Sequence, residues 1–264
     1  MNNINALVRR YPLLIFFGLV FLLEWILVAP LALSQPAAVG LIAFLPTPCA
    51  LLVAWLADGR NGLRDIRTRT KLWRMGTIWL LATIGIPLLI GMAAAVVSLI
   101  LGSNLNIPLA QLPVLAVATL VLAAGEEIGW RGLAFPSLLQ QHPPLQAGII
   151  FGIIHGFFHW PMFLLPLPDE LRQASPLLLF VVMTSGFAII SMWLFIHTQG
   201  SVFIGILYHA FINLSAVLVS GAPKETIGWL LPTVWVVAAV ILVIWARVGL
   251  ARPPESLYEP ATKH

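Results

Sequence analysis

Apolar residues in this chain run unbroken for long stretches instead of recurring on one face of a helix or strand. Each stretch is about 20 residues, the length a helix needs to cross a bilayer. Eight such stretches occupy about 12–34, 37–57, 75–101, 112–134, 146–165, 175–197, 201–220 and 226–246. Joined by short connections, they predict an all-α fold, a polytopic membrane helical bundle of about eight transmembrane helices. They form a single integral membrane domain over 1–264, with no internal repeat and no linker. The only long polar interval, 58–74, separates the second stretch from the third.

Composition agrees with that pattern. Hydrophobic residues make up 60% of the chain and charged residues 9%, with a mean hydropathy of +0.97. Soluble domains carry about 25% charged residues, and disorder requires low hydrophobicity with high net charge, so both are excluded. The ten tryptophans mostly fall near span ends, where an aromatic belt is expected. Cys49 is the single cysteine and forms no internal disulfide. The apolar stretch after Arg9 and Arg10 is too long for a cleavable signal and lacks a small-residue cleavage site, so it reads as the first membrane helix.

The net charge of +4 acquires meaning only from where the basic residues fall. With the N-terminus inside, Arg9, Arg10, Arg60, Arg64, Arg67, Arg69, Lys71, Arg74, Arg131, Arg247, Arg252 and Lys263 lie on the cytoplasmic side, against Arg172 and Lys224 outside. That asymmetry predicts both termini in the cytoplasm of a bacterial plasma membrane. The basic loop is a topology determinant that could also touch anionic lipid headgroups, and it gives no reason to infer nucleic-acid binding.

Against this background the informative residues are ionisable ones inside spans, each costing about 2.5–3.5 kcal/mol at a helix centre. The fourth stretch contains Gly125-Glu126-Glu127-Ile128-Gly129-Trp130-Arg131-Gly132. Three charges there total roughly 8–10 kcal/mol, so the segment should face protein or a water-filled cavity. Glu127 and Arg131 share a helix face and can pair, while Glu126 lies about 100° away and is left available for chemistry. The alternative is that both glutamates merely neutralise Arg131. In the fifth stretch His155 and His159 are spaced i, i+4 ahead of Pro161, and in the seventh His209 and Asn213 repeat that spacing. Glu24 in the first stretch has no surrounding motif and reads as a carboxylate bonded to a neighbouring helix. His197, at a helix end, reads as interfacial.

Glu126-Glu127-x-x-x-Arg131, an aromatic-x-x-x-His segment and His209-x-x-x-Asn213, in that order, resemble the CPBP family of CAAX-type prenyl endopeptidases and bacteriocin-processing or immunity proteins. The resemblance covers about 120–216, the motif-bearing protease core. It implies that Glu126 activates the hydrolytic water with support from Glu127 and Arg131, that His159 positions that water, and that His209 and Asn213 bind the oxyanion. The second motif is ambiguous. His159 followed by Trp160-Pro161 fits the family's His-x-Pro variant, which puts His155 where an aromatic residue is usual. Depth arithmetic at 1.5 Å per residue favours His155, placing it, Glu126 and His209 roughly 10–13 Å from the cytoplasmic end and His159 roughly 20 Å from it. His159 is preferred on the motif, with His155 as the alternative or a supporting group.

Two histidines, a third histidine and a glutamate could instead bind Zn²⁺ through His159, His209 and Glu126, with water in the open position. The His-Glu-x-x-His arrangement of soluble zincins is absent, and Asn213 is a better oxyanion donor than zinc ligand, so a metal-free glutamate mechanism with no cofactor is favoured. The leading expectation is an intramembrane endopeptidase hydrolysing a peptide bond near the cytoplasmic leaflet, with a peptide or prenylated-protein substrate. The competing ones are a non-catalytic bacteriocin-immunity or peptide-binding protein and a proton-coupled transporter. The lack of an internal repeat weighs against the last.

Overall fold

The computed structural model describes residues 3–71, 76–169, 172–246 and 250; Arg74, Arg247, Arg252 and Lys263 lie outside them. In chain order the helices are α1 (Asn3–Arg10), α2 (Pro12–Ser34), α3 (Pro36–Asp58), α4 (Arg60–Thr70), α5 (Thr77–Ile100), α6 (Leu109–Leu139), α7 (Pro144–Phe158), α8 (Leu177–His197), α9 (Val202–Val219) and α10 (Lys224–Trp245). Among the described residues there is no strand. Seven of these helices are long and apolar enough to cross a membrane, α2, α3, α5, α6 and α8 to α10. The chain is an integral membrane protein.

The eighth expected span is shorter than its apolar stretch. Helix α7 has 15 residues, about 22 Å at 1.5 Å per residue, and it closes at His159. There the backbone tightens, with the N–H groups of His159 and Trp160 bonding to Gly156 and Phe157 at 3.2 and 3.0 Å. Pro161 then opens a separate turn of helix, Pro161–Leu164, because proline is tolerated in a first turn and not within a helix. His159 therefore caps α7 instead of extending its face.

The two ends of the bundle are each tied together. At one end α1 is clamped to the end of α3 by the Arg9–Asp58 ion pair at 3.0 Å. Gly59, at φ +59°, lets the chain turn directly into α4, a conformation that disfavours any side chain. At the other end the connection after α5 meets the one before α10, where the Asn106 N–H donates to the Ser220 carbonyl at 2.6 Å. There too the Lys224 ammonium donates to the Asp169 carbonyl.

Small residues bring the central helices close, as membrane helices require when apolar burial gives them no mutual attraction. Gly148, Gly152 and Gly156 form a stripe along α7 that meets the α8 backbone. A side chain would strike Ile189 Cα at 3.2 Å, Ser185 Cα, and Val181 Cα at 2.8 Å, respectively. The Thr184 hydroxyl reinforces the contact by donating to the Gly152 carbonyl at 2.9 Å. On α6, Gly125 and Gly129 lie against the Ala43 and Pro46 carbonyls of α3, and Thr47 donates to the Gly125 carbonyl at 2.6 Å. These two contacts fix the segment that carries both glutamates.

Candidate active site

Glu126 and Glu127 occupy the last regular turn of α6, just before a π-helical turn over Trp130–Ala134. Such turns often mark functional positions in helices. Both carboxylates are buried, and they serve different partners.

Glu127 is the centre of a charged network. Its Oε2 pairs with the Arg131 guanidinium, as the i, i+4 spacing predicts, and its Oε1 accepts from His209 Nδ1 at 2.8 Å. Arg131 donates to the Ser191 hydroxyl at 2.6 Å and lies over the rings of Phe135 and Phe151, at 4.4 and 5.4 Å. This buried cation thus has a carboxylate, a hydroxyl and two aromatic faces around it, the compensation a charge needs away from water.

Glu126 is not left unbonded. Its Oε2 accepts from Trp130 Nε1 at 3.1 Å and meets His155 Nε2 at 3.1 Å. Its Oε1 has no protein hydrogen bond among the described residues, which leaves one oxygen for water. The His155 ring is stacked between Phe151 and Phe158, with centroids 5.4 and 6.2 Å away, and Trp130 stands edge-on at 5.9 Å. His159 hangs from the same turn with Nδ1 at 3.0 Å from the His155 carbonyl. A carbonyl only accepts, so Nδ1 carries the proton and Nε2 presents a lone pair. Both rings approach Glu126, so proximity alone does not choose between the two histidines.

The potential ligand atoms of Glu126, His155 and His159 all lie within 4.8 Å of one another. That is a different trio from His159, His209 and Glu126, because His209 turns its Nδ1 to Glu127. Beside these groups a cavity of about 190 Å³ is lined by Glu127, Arg131, His155, His159, His209 and Asn213 together with Phe180, Met183, Phe187 and Trp235, and Glu126 is not among its lining residues. A water occupies about 30 Å³ in the liquid, so the space admits several waters or one peptide unit with a side chain. The Asn213 amide makes no hydrogen bond among the described residues and is available to a ligand.

Several neighbours escaped the sequence reading. Trp130 is fully buried and bonded to Glu126, not part of an interfacial belt, and its i+4 spacing from Glu126 was the available signal. Ser191 and Thr184 sit in an apolar helix with no motif around them. Glu24 is fully buried, in a second π-helical turn over Glu24–Val28, and neither oxygen has a hydrogen-bond partner among the described residues. The expected bond to a neighbouring helix is therefore absent. His197 packs its ring between Trp79 and Trp193, at 4.8 and 5.1 Å.

Known proteins share this segment. Residues 108–215, which hold every residue from Glu126 to Asn213 discussed above, match the family described as type II CAAX prenyl endopeptidase Rce1-like. A curated relative, CAAX prenyl protease 2 of Methanococcus maripaludis, is 31% identical over 105 residues. The aligned part is 38% of this chain and 39% of the relative, so the match spans well under half of either protein. Residues 108–215 are thus similar to type II CAAX prenyl endopeptidases over the segment that carries the glutamate, histidine and asparagine motifs.

Proposed function

We propose that the protein is an intramembrane endopeptidase in which Glu126 activates a water molecule for attack on a peptide carbonyl. The observation that carries this reading is the division of labour between adjacent glutamates. Glu127 is saturated by Arg131 and His209, whereas Glu126 is held by Trp130 and His155 and keeps one oxygen unbonded.

In the proposed reaction the water gives a proton to Glu126 while its oxygen bonds to the carbonyl carbon. The lone pair of His159 Nε2 accepts the water's second hydrogen and orients the attack. The oxygen that becomes negative is met by the Asn213 amide and by His209. With Nδ1 committed to Glu127, His209 donates from Nε2 as an imidazolium, and the Glu127 carboxylate balances that charge. Collapse of the tetrahedral intermediate breaks the C–N bond, and Glu126 returns its proton to the leaving amine. General-base assistance of this kind contributes about 10²–10⁴-fold, and each oxyanion donor about 10²–10³-fold.

The clustering of Glu126, His155 and His159 supports a second version, in which those residues hold Zn²⁺. The metal would supply Lewis-acid polarisation and a more acidic water, with Trp130 orienting the Glu126 carboxylate. Asn213, an amide that donates well to an oxyanion and ligates zinc poorly, favours the metal-free version.

The substrate that fits the family is a peptide or a prenylated protein. The test is purified protein assayed on prenylated and unprenylated peptides, with and without a strong chelator. The glutamate reading expects cleavage to survive chelation and to be lost in Glu126→Gln, with the variant still inserted and folded. Full activity of Glu126→Gln would refute it. Loss on chelation with recovery in Zn²⁺ would select the metal version.

A further inference from the structure

Helix α4 joins two spans and so lies where the bundle meets the lipid headgroups. It follows the end of α3 at Asp58 and precedes α5 at Thr77. Trp55, exposed near the end of α3, stands at the level where membrane helices carry amphipathic rings. The cations of α4 are ordered. Arg60, Arg64, Arg67 and Lys71 are all exposed and recur at intervals of four, three and four residues. At 3.6 residues per turn that spacing confines them to an arc of about 60°. The stripe runs about 16 Å along the axis, at 1.5 Å per residue, long enough to meet more than one phosphate group. The remaining cation, Arg69, is turned inward, buried and paired with Asp65 at 2.9 Å. The other nearby acid, Asp58, is taken by Arg9 at 3.0 Å. Among the described residues no carboxylate pairs with the stripe.

Alone, this arrangement weakens the helix. Like charges one turn apart repel, and each member of the stripe has such a neighbour. Arg60 is the first residue of the helix, where the backbone dipole disfavours a cation. A topology determinant needs only the number of lysines and arginines near the span ends. The same cations spread around the helix would serve that purpose with less repulsion, so topology does not account for their alignment. An anionic surface laid against the stripe does, because it turns the repulsion into attraction.

The opposite face of α4 is fixed to the bundle. Gly62 lies on the Ala54 carbonyl of α3 with no room for a side chain, and Ile66 packs against Gly132, its Cγ2 3.1 Å from where a Cβ would stand. Gly132 belongs to the π-helical turn that carries Arg131. The stripe is therefore held on a rigid support, and an anion bound to it stabilises the folded bundle instead of a detached loop.

We propose that the outer face of α4 is a docking surface for anionic phospholipid headgroups, in which Arg60, Arg64, Arg67 and Lys71 bind the phosphates of the leaflet at that end of the bundle. Charge complementarity and the alignment of the four cations carry this together. The surface is separate from the cavity beside Glu127, and the proposal stands whether or not the protein cleaves peptides.

The test is thermal unfolding of the full-length protein purified in dodecyl maltoside, with phosphatidylglycerol or phosphatidylcholine titrated into the micelles. Phosphatidylglycerol should raise Tm well above the value in phosphatidylcholine, and the difference should vanish in 1 M salt, where the Debye length is about 3 Å. A cation near an anionic lipid surface contributes roughly five-fold in affinity, so Arg64→Gln should move the midpoint of the phosphatidylglycerol titration about five-fold towards higher lipid. Arg69→Gln removes the same charge from the inner face. It should lower Tm without lipid and leave that midpoint in place. Replacing all four stripe residues by Gln should abolish the response. Equal responses to the two lipids, a response that survives 1 M salt, the same response to inorganic phosphate alone, or equal midpoint shifts in Arg64→Gln and Arg69→Gln would overturn the proposal. If the four-fold variant does not insert, the two single variants and the salt series decide the outcome.

Discussion

The Arg131–Glu127 pair offers a quantitative test of the site's architecture. Arg131→Met keeps an unbranched side chain of similar length and removes the charge. Glu127 is then left fully buried with a single remaining partner, His209, at 2.8 Å. Removing one member of a buried pair costs about 3–5 kcal/mol, because the other charge is stranded. The contact over Phe135 at 4.4 Å is lost as well, but Met retains the packing, so the lower half of that range is expected. Glu127→Gln added to Arg131→Met removes the stranded charge. The double variant should therefore regain about 2–3 kcal/mol, within the couplings seen for residues in contact. The assay is thermal unfolding of purified protein in detergent, with the two single variants and the double variant forming a closed cycle. At about 2–4 °C per kcal/mol for a chain of this size, Arg131→Met should lower Tm by roughly 6–15 °C. A loss of under about 1 kcal/mol, or a double variant no more stable than Arg131→Met, would refute the claim that Glu127 depends on Arg131.

Four further outcomes are expected. His155→Phe keeps the ring stack and loses one bond to a carboxylate, so cleavage should fall about 10- to 100-fold, the value of about 1.5–3 kcal/mol. His159→Ala removes the lone pair proposed to orient water and should cost about 10²–10⁴-fold, and kcat measured on the two variants separates the histidines. Gly152→Leu would drive a side chain into the Ser185 backbone and the Thr184 carbonyl, so the variant should lose its monodisperse peak on size-exclusion chromatography. Glu24→Met replaces an unpartnered buried carboxylate with an apolar chain and should raise stability by about 1–3 kcal/mol, from the cost of burying an unsatisfied polar group. A fall in Tm would reveal that the carboxylate has a partner.

Charge was legible in this sequence because it is scarce. Glu126, Glu127 and Arg131 stand out in an apolar helix, and the i, i+4 rule pairs Glu127 with Arg131 as the structure does. The same rule sets Trp130 four residues from Glu126, as their bond requires, but helical spacing on one element says nothing about His155 arriving from another. Proximity of that kind depends on how closely α7 meets α8 and α6 meets α3. The residues that set those distances are glycines at four-residue intervals, Gly148, Gly152 and Gly156 on α7 and Gly125 and Gly129 on α6. To a hydropathy reading they are merely neutral.

The same glycines explain why the catalytic candidates come from a helix that is too short to span. A glycine stripe lets α7 sit against the α8 backbone, and tight packing of that kind removes α7 from the lipid on that face. Helix α7 can then stop inside the bundle, as its backbone groups at His159 and Trp160 are satisfied by local turns instead of by membrane-length helix. That premature end places two histidines and a chain reversal at the depth of Glu126. Irregular backbone at membrane depth is tolerated only where protein or a water-filled cavity covers it, so the break in α7 and the cavity beside it require one another. A variant that restored the helix, Pro161→Ala, would therefore be expected to disturb cleavage before it disturbed insertion.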